Sequence, residues 1–130
     1  MILQWHEEFS VGVPELDKHH RHLIEILNAL VTAVNEGNNL KIIAGLMTDL
    51  NEYTVYHFNA EEALFIKVQY PHVTQHIQEH QEFIDRLSRI DQLLQRDQHV
   101  AAAELEEMLI SWIMNHILTS DRMYMSYLSH

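Results

Sequence analysis

Eleven histidines in a chain of 130 residues are the first feature that calls for chemistry. Two short stretches hold them at telling intervals. "HFNAE" runs from His57 to Glu61, and "HIQEH" runs from His76 to His80. Four residues apart on a helix, two side chains lie about 40° apart on one face. A pair so placed can chelate one metal ion, or reach one ion each of an adjacent pair. "LDKHHRHL" adds His19, His20 and His22, and "HILTSD" adds His116 and Asp121.

The elements that must position these groups follow from apolar spacing. Residues 1–16 show no helical period, contain Gly12 and Pro14, and are expected to form an extended N-terminal arm. From Asp17, a residue that can cap a helix, Leu23, Leu27, Leu30 and Val34 form an inward stripe, and "EGNN" (36–39) ends it. A second helix is expected from about Leu40 to Leu64, with Ile43, Leu46, Leu50 and Tyr53 inward. "VQYPH" (68–72) breaks the chain, because Pro71 cannot continue a helix. A third helix spans about Val73 to Leu94, with Phe83, Leu87, Ile90 and Leu94 inward. After "QRDQ" (95–98), a fourth starts near His99 or Val100, carries Leu105, Leu109 and Trp112 inward, and runs to about Leu118. "TSDRMYMSYL" is expected to hold a further turn. Met108 and Met114 are assigned to the core.

Four such helices with short connections make an all-α, up-down-up-down antiparallel four-helix bundle, a single domain over 1–130 with the bundle and C-terminal turn over 17–130. Each inward stripe, extended one or two steps, runs into a histidine: His20, then His57 with Glu61, then His80 and His76, then His116. These ends are a start, an end, a start and an end, so in this topology they meet at one end of the bundle. His20 points in, and His19 and His22, about 100–200° of rotation away, are expected to face the flank or solvent. His6, His72, His99 and His130 are read as surface residues. A single histidine on an apolar stripe is more often a hydrogen-bonded core residue than a ligand. Convergence of all five with a carboxylate argues for metal, because buried imidazoles and carboxylates are costly unless paired or metal-bound.

Asp121 follows His116 by five residues, about 140° round a straight helix. Both face inward only if the helix widens into a π-type turn there, which Thr119 and Ser120 would assist. Five nitrogens and two carboxylates are too many for one ion and suit two bridged by both carboxylates. The absence of sulfur and the excess of nitrogen fit iron, zinc or copper and argue against magnesium or calcium.

Composition narrows the rest. There is no cysteine, so disulfides, thiolate zinc sites and cysteine nucleophiles are excluded. A formal net charge of -11 opposes binding to nucleic acid or anionic membranes. Neither a membrane-length apolar run nor a signal pattern is present, and a monomeric cytoplasmic protein is expected.

These motifs together resemble the hemerythrin family, most closely its single-domain bacterial members. "FSVGVPELDKHHRHL" resembles the family's arm and D-x-x-H-x-x-L start, "HFNAEE" its H-F-x-x-E-E, "YPHVTQHIQEH" its Y-P-x(4)-H-x(3)-H, and "WIMNHILTSD" its W-x(3)-H-I-x(3)-D. The resemblance implies a non-haem di-iron centre. One iron would be held by His76, His80 and His116 and the other by His20 and His57, with Glu61, Asp121 and an oxo or hydroxo oxygen bridging. It further implies reversible binding of molecular oxygen at the His20/His57 iron, in a pocket lined by Leu23, Phe58, Trp112, Ile113 and Ile117. A dry pocket of that kind limits proton-assisted loss of reduced oxygen. Three roles share this ligand set: an oxygen carrier, an oxygen or redox sensor, and a di-iron peroxidase or nitric oxide-handling enzyme. Because the chain ends soon after the fourth helix, a sensor is expected to act on a separate partner. The expected absence of an acid or base in the pocket favours the carrier over the enzyme.

Overall fold

The computed structural model describes residues 3–37 and 40–125. Asn38 and Asn39 of the first helix ending, the last residues of the expected C-terminal turn, and His130 lie outside the described residues. The elements are a 3₁₀ turn at Glu7–Phe9, then α1 (Pro14–Asn35), α2 (Leu40–Val68), α3 (Val73–Leu94), α4 (Gln98–Ser111) and a π-helical segment (Trp112–Asp121) that continues α4. α1 packs on α2, α2 on α3, α3 on α4, and α4 back on α1, which closes the antiparallel four-helix bundle. No described helix is long and apolar enough to cross a membrane.

Most of the inward stripes are buried as their spacing requires. Leu23, Leu27 and Leu30 meet Ile43, Leu50, Phe83, Leu87, Ile90, Leu105 and Leu109 in one core. Val34, Leu46 and Trp112 only border it. Met108 is in the core, but Met114 is 44% exposed. The π-helical segment accounts for this: it turns Ile113, His116, Ile117 and Asp121 inward and leaves Met114 on the outer side.

The boundaries differ from expectation at three places. α1 begins at Pro14, not Asp17, with Val13 as the residue before the first turn and no side-chain cap. Proline fits the first turn because its missing N–H would have had no partner there. Asp17 has another task. Its Oδ1 accepts from the Val11 N–H at 2.8 Å and its Oδ2 from the Ser10 hydroxyl at 2.6 Å, tying the arm back onto α1. The arm is therefore shorter than 1–16 and partly turned, with Phe9 and Val11 buried. α2 runs past Leu64 to Val68 and ends at Gln69, whose φ of 54° is the left-handed conformation that stops a helix before Pro71. α4 starts at Gln98, where Asp97 Oδ1 accepts from the Val100 N–H at 3.2 Å.

A smaller apolar cluster of Val11, Leu16, Phe65, Tyr70 and Tyr124 closes one end of the bundle. The arm, the break between α2 and α3, and the segment after the π turn each contribute to it. The histidines converge beneath this lid.

Candidate metal centre

His20 lies in the second turn of α1, His57 and Glu61 late in α2, and His76 and His80 in the first two turns of α3. His116 and Asp121 lie in the π-helical segment. All seven are buried, and His20, Glu61 and Asp121 are 0% exposed. The π geometry is what unites the last two. Its i to i+5 repeat puts residues five apart on one face, and His116 Nε2 stands 2.9 Å from Asp121 Oδ1.

Each histidine presents Nε2 to the carboxylates, and the contacts divide by oxygen. Glu61 Oε1 lies 3.1 Å from His76 and 2.8 Å from His80, while Oε2 lies 3.5 Å from His57. Asp121 Oδ1 lies 2.7 Å from His76 and 2.9 Å from His116, while Oδ2 lies 3.2 Å from His20. Each carboxylate thus gives one oxygen to a group of three histidines and the other to a group of two. Among the described residues, two sets of ligand atoms lie close enough to hold a cation: Glu61, His76, His80, His116 and Asp121; and His20, His57, Glu61 and Asp121. They share both carboxylates.

The outward nitrogens have partners that the spacing argument did not find. His20 Nδ1 lies 3.3 Å from the Phe9 carbonyl in the 3₁₀ turn, to which it can donate. His80 Nδ1 lies 2.9 Å from Glu62 Oε2, and His116 Nδ1 lies 3.0 Å from Glu79 Oε1, which also accepts from the Ser120 hydroxyl at 2.8 Å. His57 Nδ1 lies 2.9 Å from His19 Nδ1. His19 is therefore not a solvent residue: it is 8% exposed and packed against His57. His22 does face outward, toward Asp49. These partners cross between helices, so no local spacing marks them. Two of them carried a faint sign: Glu62 as the second carboxylate of "HFNAEE", and Glu79 next to His80 and one turn after His76.

The donor chemistry fits cations. Buried polar atoms without a hydrogen-bond partner include His20 Nε2, His116 Nε2 and both Asp121 oxygens. These atoms sit at ion-pair distances yet outside hydrogen-bond geometry, as donors sharing a central ion would. Orphaned groups of this kind are costly without an ion. The charges respond in the expected sense. Burial pulls His76 and His116 down, but the facing Asp121 and Glu61 carboxylates outweigh it and hold them up at about 9 and about 10. Burial opposes ionisation of Glu61, yet the surrounding imidazoles hold its carboxyl well below the usual range. The hydrogen bond from His116 likewise depresses Glu79.

Comparison with known proteins decides the lineage. The Hemerythrin HHE cation binding domain matches residues 11–128, nearly the whole chain. The chain belongs to the hemerythrin family. It is 30% identical to a bacteriohemerythrin of Stenotrophomonas maltophilia over 95% of this chain and 79% of the relative. It is also 32% identical to a hemerythrin-like protein of Naegleria gruberi over 92% of this chain and 88% of that one. A crystal structure of a hemerythrin mutant shares the fold, with a TM-score of 0.84 and 24% identity over 100% of both chains.

Of the residues expected to line an oxygen pocket, Leu23, Phe58, Ile113 and Ile117 are buried in the core and Trp112 packs against it partly buried. Phe58 stacks on His80 with ring centroids 3.9 Å apart and lies 5.9 Å from His57. Trp112 stacks on His116 at 3.7 Å, so its ring contacts the three-histidine group. Two phenols that helical spacing did not mark as site residues stand beside the ligands. Tyr124 donates its hydroxyl to Glu61 Oε2 at 2.9 Å. Tyr53 stacks on His57 at 5.4 Å with rings 7° from parallel, and its buried hydroxyl has no hydrogen-bond partner. Burial first, then the Glu61 and Asp121 charges, push both phenols well above their usual value, so each keeps its proton.

Proposed function

We propose that this chain holds two iron ions and binds molecular oxygen reversibly. The observation that carries the reading is the division of each buried carboxylate between a three-histidine and a two-histidine group. His76, His80 and His116 would hold one ion, His20 and His57 the other, with Glu61 and Asp121 between them. Iron held by these residues would supply the electrons for reversible oxygen binding. The two-histidine side offers one nitrogen fewer, which leaves room for a small ligand. The buried Leu23, Ile113, Ile117 and Phe58 would form the apolar lining that keeps water from that side, and Trp112 stacks on His116. Raised phenol pKa values let Tyr53 and Tyr124 donate hydrogen bonds without releasing protons, which favours return of oxygen over its further reduction.

The test is an optical spectrum of reduced, iron-loaded protein under argon, then in air, then under argon again. A visible charge-transfer band that appears with oxygen and fades on its removal is the expected result. Decay of the adduct within seconds, stoichiometric release of peroxide, or rapid oxidation of added reductants would overturn the carrier reading.

A further inference from the structure

We propose that His19 is a positioning residue that sets the tautomer and orientation of His57, and so governs occupancy of the two-histidine side. The inference rests on the two-ion reading. His57 aims Nε2 inward, 3.5 Å from Glu61 Oε2, and its Nδ1 outward, 2.9 Å from His19 Nδ1. Two ring nitrogens at that distance share one proton, so one donates and the other accepts. For His57 to offer its Nε2 lone pair inward, its proton must sit on Nδ1. His57 then donates, His19 Nδ1 accepts, and His19 carries its own proton on Nε2. If Nδ1 loses its acceptor, nothing keeps the proton off the inward atom.

The two groups are supported unequally. On the three-histidine side, Glu62 and Glu79 receive His80 and His116 with carboxylate oxygens, which bind strongly and tolerate small shifts because each has several lone pairs. On the two-histidine side, His20 has a backbone carbonyl that follows the arm. His57 has a single imidazole lone pair, an acceptor with one direction. His19 is itself held in place, edge-on to Tyr56 at 5.0 Å and to Tyr53 at 6.4 Å. Tyr53 also stacks on His57, so it braces both rings of the pair. α1 therefore serves this side twice in succession: His20 faces the carboxylates, and its neighbour His19 orients the group on α2.

The experiment is an anaerobic titration with iron(II) against a competing chelator, on the wild type, His19→Leu and His19→Gln. Leucine removes the acceptor at similar bulk, and glutamine keeps an oxygen acceptor. The wild type should bind two ions. His19→Leu should weaken the looser of the two about 10–100-fold and leave the tighter within about threefold, and His19→Gln should restore most of the loss. In zinc-loaded wild type, a nitrogen–nitrogen coupling through the hydrogen bond between His57 Nδ1 and His19 Nδ1 should appear by NMR. A wild type that binds one ion overturns the two-ion reading and this proposal with it. A wild type that binds two, with His19→Leu weakening neither or both equally, overturns the proposal alone. Should His19→Leu fail to fold, the coupling decides: its absence in the wild type overturns the proposal.

Discussion

Neighbouring letters in "KHHRH" carry three different duties, and side-chain direction assigns them. His20 is wholly buried on Asp121, His19 turns to His57, and His22 meets Asp49 at the surface. His20→Ala should reduce iron content toward one ion per chain and abolish the oxygen band, whereas His22→Ala should leave both near wild type. Metal analysis and absorbance of the two variants check this, and comparable losses would refute the assigned register of α1. Tyr124→Phe keeps the buried ring and deletes the hydrogen bond to Glu61 Oε2. A bond to a buried carboxylate is worth about 1.5–3 kcal/mol, so metal-free Tyr124→Phe should be destabilised by about that amount in urea.

Among the elements, the π-helical segment does what no α-helix of this sequence could. Five residues of α-helix would place Asp121 about 140° from His116, and the wider turn brings them to 2.9 Å. Deleting Thr119 should let the segment relax to a regular helix with a four-residue spacing between the two groups. That spacing also sets the two groups about 40° apart on one face and keeps the following residues facing as before. Two ions should therefore still bind, measured by metal analysis, and loss of both would show that the π geometry itself is required. The arm is the other element with a task beyond its length. Asp17 fastens it, and the Phe9 carbonyl reaches His20 only because it is fastened.

At the scale of the whole molecule, the centre makes folding depend on protons when metal is stripped. His76 and His116 are held at about 9 and about 10 against an ordinary 6.5, so the folded chain binds more protons than the unfolded one above neutrality. Their contribution is fully present below about pH 6.5 and is lost as pH rises through about 9–10. Glu61 and Asp121 act oppositely: held low, they stabilise above the ordinary carboxylate range, and that stabilisation is lost as acid protonates them. The melting temperature of stripped protein should therefore fall between pH 7 and 10, and iron-loaded protein should lack that slope because the imidazoles are bound as neutral ligands. Iron binding at pH 7 should correspondingly release protons, measurable by calorimetry in buffers of different ionisation heat. A flat profile for stripped protein would contradict the assigned charge states.

The sequence by itself determined the bundle, the seven inward groups and the need for a widened turn. Those follow from the 3.6-residue period, from helix breakers such as Pro71, and from the five-residue gap between His116 and Asp121, all of which are local and read along one chain. Tertiary structure alone decided the start of α1, because Pro14 can open a helix while Asp17 is drawn off to hold the arm. It also decided the partners behind each imidazole. His19 with His57, Glu79 with His116 and Tyr124 with Glu61 are separated by 38, 37 and 63 residues, and each pairing exists only once helices have packed. Spacing reports which face a side chain takes, and packing determines which atom on another helix it meets. That is why the groups turned toward the carboxylates were legible in the sequence and the residues that aim them were not.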